Sequence, residues 1–141
     1  MKILLAIDGS DVSQRALASL IDHVQWFRDR PEVHLLHVHL PIPVGLAVQH
    51  VSQEALDRYY REEGEAVLAD ARARLEESGF AVTAHIHVGN PADIIVKVAD
   101  ELGCGLICLG THGRGAVAGA VLGSVATKVL HLARVPVLLA K

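Results

Sequence analysis

Short aliphatic runs alternate along this chain with longer stretches of helical period, and that alternation constrains the fold more than any other feature. Lys2 to Ile7 is nearly all aliphatic, as expected of a strand covered on both faces. Ala16, Leu17, Leu20, Ile21, Val24 and Phe27 then form one stripe of a helix, with Ser10 or Asp11 as its N-cap. A second strand, Val33 to Leu40, is followed by Pro41-Ile-Pro43, an apolar loop and a long helix opened by Ser52. Leu56, Tyr59, Tyr60, Val67, Leu68, Ala71 and Leu75 make the buried face of that helix, and Gly79 stops it. Ala81 to Val88 alternates Val82, Ala84, Ile86 and Val88 with Thr83, His85 and His87, the pattern of a half-exposed edge strand. Asn90-Pro91-Ala-Asp93 opens a third helix with a cap, a proline at the first helical position and an acid in the first turn. Gly103 ends it; Leu106 to Leu109, a helix from Ser124 to Ala133, and a strand from Pro136 to Ala140 complete the series.

The order βαβαβαβαβ implies a parallel sheet between helix layers, joined by right-handed crossovers. The expected fold is a single doubly wound five-stranded sheet with helices on both faces, residues 1–141 forming one domain; the order 3-2-1-4-5 is adopted for it rather than read from the pattern. Its ligand site should lie at the carboxyl ends of the strands where the order reverses. That order places strand one beside strand four, so that Asp8 and the loop after Gly110 share one rim.

Composition narrows the class. Hydrophobic content of 51% against 21% charged residues describes a globular chain, and a formal charge of -3 advertises no nucleic-acid face. No apolar run approaches the roughly 20 residues of a membrane span, and Asp8 ends the first apolar run too early for a signal peptide. Cys104 and Cys108, placed on one extended segment, would stand about 13 Å apart, too far for a disulfide. These features predict a soluble, reduced, cytoplasmic protein.

Chemistry concentrates between Gly110 and Ser124. The skeleton is Gly110, two residues, Gly113, nine residues, Gly123 and Ser124, lying between a buried strand and a helix start. Glycines let backbone N–H groups approach a ligand with no side chain in the way. The helix start adds unpaired donors and positive dipole, so a phosphate-bearing ligand is the natural guest. No Lys follows Gly123, which excludes a Walker A loop, and the glycine spacing is not that of a Rossmann fingerprint. Ser124 either gives its hydroxyl to phosphate or caps the last helix. Arg114 is the one cation inside the loop, a candidate phosphate ligand or a solvated side chain. Lys128, one turn beyond Ser124, reads as a surface residue. Asp8, at the carboxyl edge beside Gly9 and Ser10, suits a ribose hydroxyl, a Mg²⁺ ion accompanying a nucleotide, or the capping of helix one.

Nine histidines raise a metal site. His37 and His39 share one strand face and His34 takes the other, but no Cys or acid falls at a spacing that would complete a ligand set. His112, between two loop glycines, is better placed for ligand contact. With no Gly-x-Ser-x-Gly elbow and no evident base beside the loop, binding is better supported than catalysis.

At these residues the chain resembles the universal stress protein family, in its ATP-binding branch, over essentially its whole length. The resemblance rests on Ile7-Asp8-Gly9-Ser10, Leu36-His37-Val38, Gly89-Asn90-Pro91, the run from Leu109 to Gly115, Gly123-Ser124-Val125, and Val135 to Leu139. The family motif G-x2-G-x9-G-[S/T] is matched at every specified position. The resemblance implies a domain of order 3-2-1-4-5 binding ATP or another adenine nucleotide. Ala6, Asp8 and Val38 would line the adenosine end, with Leu109 and Gly110 opposite; some nucleotide-bound relatives carry proline where this chain has Ala6. Gly113, Gly123, Ser124 and Val125 would hold the phosphates. The family also suggests a homodimer through strand five, Pro136 to Ala140, whose apolar and edge character independently calls for cover.

Three functions follow: a regulator that binds ATP with Mg²⁺, a slow ATPase or phosphoryl or adenylyl transferase, and a stress-response adaptor independent of nucleotide.

Overall fold

Among the described residues the chain runs β1 (Lys2–Ala6), α1 (Asp11–Asp22), β2 (Glu32–His39), α2 (Gln53–Glu77), β3 (Ala81–Val88), α3 (Pro91–Leu102), β4 (Leu106–Gly110), α4 (Ser124–Leu132) and β5 (Val137–Ala140). The structure is a computed structural model that describes residues 1–43, 45, 50–113 and 122–141. The five strands form one sheet in the order β3-β2-β1-β4-β5, every neighbouring pair parallel. This is the doubly wound α/β architecture that the alternating pattern predicts.

The aliphatic run of β1 follows from its place at the centre of the sheet. Ile3 and Leu5 point into one core with Leu17 and Leu20 of α1 and Leu68 and Leu75 of α2. Leu4, between them, points into the other with Ile95 and Val98 of α3 and Val129 of α4. Both sides of the strand are dry, so neither parity tolerates a polar residue. β3, at the edge, keeps only Val82 and Ile86 packed against the α1–α2 core.

Helix boundaries are set by local chemistry. Ser10, Ser52 and Asn90 cap α1, α2 and α3 by accepting from the N–H groups of Ser13, Ala55 and Asp93. Gly103 ends α3 in the left-handed region (φ 66°), where glycine has no Cβ to clash.

The structure departs from the sequence reading in detail. α1 stops at Asp22 and a 3₁₀ turn covers Val24–Trp26, so Val24 and Phe27 reach the core from outside the helix. Tyr59 is 47% exposed; Tyr60 is the buried ring, its hydroxyl accepting from Ile42 N–H at 2.9 Å. α4 has Gly123 as its N-cap, so Ser124 is the first helical residue rather than the cap.

Candidate nucleotide-binding site

β1 and β4 lie side by side, with Ile3, Leu4 and Leu5 in register with Leu106, Ile107 and Cys108. The chain leaves β1 toward α1 on one face of the sheet and leaves β4 toward α4 on the other. Connections that diverge in this way cannot fill the space between the strand ends, and a crevice results. Here it is a cavity of about 330 Å³. Leu36, Val38, Ile95 and Leu109 supply apolar wall, while Asp8, Thr111, His112, Gly113, Gly123 and Ser124 supply polar rim.

Ala6, Asp8, Val38, Leu109, Gly110, Gly113, Gly123, Ser124 and Val125 all line this cavity. Arg114 lies outside the described residues. Sequence reasoning missed Pro91, which it assigned to the start of the third helix, and Ile95. The available signal was topological: α3 begins at the carboxyl end of β3, so its first turn belongs to the same rim.

Asp8 is built into the turn that leaves β1. Its Oδ1 accepts from Ser10 N–H at 2.9 Å and from Ser10 Oγ–H at 2.5 Å, and Ser10 Oγ in turn accepts from Ser13 N–H at 3.2 Å. Ser10 is therefore the cap of α1, and the carboxylate orients the cap. His37 braces the same strand end, its Nδ1 2.8 Å from the Ile7 carbonyl.

The glycines of the loop are required by close approach. None of Gly110, Gly113 and Gly123 has a positive φ. A Cβ on Gly110 would stand 2.8 Å from Val12 Cγ1 and 3.0 Å from the Val12 carbonyl carbon, in the first turn of α1. One on Gly113 would stand 2.7 Å from Asp8 Oδ2, and one on Gly123 3.1 Å from the Thr111 oxygen. Gly123 N–H donates to that oxygen at 2.7 Å, and Thr111 N–H donates to Ala140 at 2.8 Å, so Thr111 links the end of β5 to the mouth of α4. Thr111 Oγ1 also lies 3.0 Å from His112 Nδ1 and fixes that ring at the cavity edge. α4 starts behind a residue with no side chain to return to its N–H groups, and Ser124, Val125 and Ala126 all border the cavity. An anion placed there meets donors and the positive end of the helix dipole.

His34, His39 and His85 are held by protein groups. His39 Nε2 lies 2.9 Å from the Tyr60 carbonyl, and His34 Nδ1 lies 2.9 Å from His85 Nε2. His34 Nε2 is 3.2 Å from Glu32 Oε1, within ionic reach but poorly aligned for a hydrogen bond. No group of three metal-binding side chains occurs among the described residues. Both cysteines are free and buried, and burial pushes the Cys108 thiol up to about 12. No described helix is long and apolar enough to cross a membrane.

Burial holds the pKa of His85 below its ordinary value, reinforced by the charges of His34 and His87. A histidine that resists protonation when folded stabilises the fold fully above its unfolded pKa of about 6.5 and loses that contribution as pH falls below it. Urea unfolding midpoints should therefore decline as pH drops from 7.5 to 5.5. The decline should be shallower in His85→Gln, and identical slopes in the two proteins would contradict this account.

The Universal stress protein family model matches residues 1–141. The universal stress protein MJ0531 of Methanocaldococcus jannaschii is 35% identical over 141 residues, covering 99% of this chain and 81% of that protein. The solved structure of MJ0577 from the same organism superposes with a TM-score of 0.84 at 31% identity, covering 99% of this chain and 94% of the other. The universal stress protein of Archaeoglobus fulgidus in complex with dAMP superposes with a TM-score of 0.68 at 26% identity, covering 100% of this chain and 98% of that one. A family match over the full length, joined to this sheet order, leads to one conclusion: the chain belongs to the universal stress protein family.

Proposed function

We propose that this protein is a stress-response regulator that binds an adenine nucleotide, ATP or a close relative, in the cavity between β1 and β4. The observation that carries the reading is the mouth of α4, where Gly123, Ser124 and Val125 face a cavity with an apolar wall. A flat base suits the wall formed by Ala6, Val38 and Leu109, and phosphate suits the helix terminus. The dAMP complex of the Archaeoglobus fulgidus relative supports the same ligand class.

Asp8 fits a Mg²⁺ ion carried in by phosphates, because that ion keeps several waters and needs only one or two protein carboxylates. When bound, it would neutralise phosphate charge. Asp8 would hold it, or a ribose hydroxyl, through a carboxylate whose orientation Ser10 fixes.

We assign the assembly to β5. It is an edge strand of four residues, Val137–Ala140, and antiparallel pairing with a second copy would satisfy its outer backbone groups.

Nucleotide titration followed by thermal unfolding tests the site. At 100 times its dissociation constant a ligand adds about 2.7 kcal/mol, which raises the melting temperature by roughly 8 °C in a chain of this size. No shift with AMP, ADP or ATP, together with no nucleotide retained on purification, would refute the reading.

A further inference from the structure

A second hollow lies on the outer face of α4, lined by Ser124, Thr127, Lys128, Leu130 and His131. It shares Ser124 with the first cavity, so a ligand that leaves over Ser124 runs onto this shelf. Ser124 and Lys128 stand four residues apart on one helix face, and a helical side chain leans toward the N-terminus. The Lys128 ammonium is thereby carried back toward the mouth of α4. There it lies 2.9 Å from Asp93 Oδ2, in the first turn of α3, and Pro91 of that same turn borders the first cavity. The ion pair thus ties together the two helices that wall one side of the crevice. Its side chains are 46% and 53% exposed, so water screens the attraction and the partners exchange at little cost.

Charge decides which ligands need that lysine. The described lining of the two hollows carries one carboxylate, Asp8, and one lysine or arginine, Lys128. A helix N-terminus presents the equivalent of about half a positive charge. With its N–H donors it can hold one phosphate, but each further phosphate adds negative charge beside Asp8 that the terminus does not match. Resting on the nucleotide reading above, we propose that Lys128 selects for phosphate-chain length, exchanging Asp93 for the distal phosphates of a nucleoside di- or triphosphate. Asp93 is then an internal competitor that keeps the lysine at the mouth when the phosphates are absent.

Calorimetric titration of the full chain with AMP, ADP and ATP, at one ionic strength and with EDTA, tests this in wild type, Lys128→Met and Asp93→Asn. Lys128→Met should weaken ATP about tenfold, the scale of a lost charge-assisted contact, and leave AMP within about twofold. Asp93→Asn should tighten ATP several-fold, because it frees the lysine. Both substitutions break the same ion pair, so a purely structural role would move the two variants in the same direction and overturn the proposal. An ATP-to-AMP ratio in Lys128→Met equal to that of wild type would also overturn it. If wild type binds none of the three nucleotides, the site assignment itself fails and this inference with it; binding with an unaltered ratio sinks the inference alone.

Discussion

Valine in place of Gly123 is expected to weaken adenine-nucleotide binding by a hundredfold or more, about 2.7 kcal/mol, in a protein that still folds. The backbone at this position is ordinary, φ -72° and ψ 160°, so the new side chain meets no dihedral penalty. The obstacle is contact. Even a Cβ would stand 3.1 Å from the Thr111 oxygen and 3.3 Å from His112 Cα, and a branched side chain forces residues 111–113 away from the helix. The 2.7 Å bond from Gly123 to Thr111 would break with that movement, and the N–H groups of Ser124 and Val125 would lose their aim. Gly123 itself belongs to neither apolar core, so circular dichroism should be unchanged. Isothermal calorimetry giving a near-wild-type dissociation constant for ATP would contradict the placement of the phosphates.

Alanine at Gly110 is expected to act on stability first. Its Cβ would press on Val12 Cγ1 at 2.8 Å, on the Val12 carbonyl carbon at 3.0 Å and on Ser13 N at 3.1 Å. A side-chain tip can swing aside, but the first turn of α1 is backbone, and Ser10 and Asp8 anchor it to β1. Overpacking of this kind costs about 1–3 kcal/mol, a fall of roughly 3–10 °C in melting temperature. Gly113→Ala makes the informative comparison. There the Cβ meets the Asp8 carboxylate, the end of a side chain, so nucleotide affinity should suffer more than stability. Differential scanning of the two variants separates the roles; equal melting temperatures would show that α1 does not hold Gly110 in place.

The sequence makes the sheet legible because burial dictates parity. β1 is aliphatic at consecutive positions since both its faces are dry; the edge strand β3 alternates in sequence, but its burial does not follow, for Ala84 and Val88 are exposed while His85 and His87 are half-buried. The strand order came from the family resemblance, since βαβ units alone also allow the order 2-1-3-4-5, whereas the helix starts at Ser52 and Asn90 followed from capping chemistry. The cavity was legible only where residues sit at strand ends or in glycine-marked turns, as with Asp8 and Gly113. Pro91 and Ile95 of α3 enter the lining through tertiary proximity, which spacing along one element does not encode. The same limit applies to Lys128. Its sequence neighbours mark it as a surface residue, and only the packing of α4 against α3 sets it beside Asp93. The loop glycines carried a double meaning, since Gly110 is demanded by α1 as much as by any ligand.

Parallel strands give the domain a polarity that bears on how it can be joined to other proteins. Residue 1 enters β1 at the end of the sheet remote from the crevice, whereas Ala140 pairs with Gly110 and accepts from Thr111 at 2.8 Å on the crevice rim. A reporter attached ahead of Met1 would sit clear of the opening. One attached after Lys141 would begin beside it, and would read ligand occupancy at the cost of crowding the entrance.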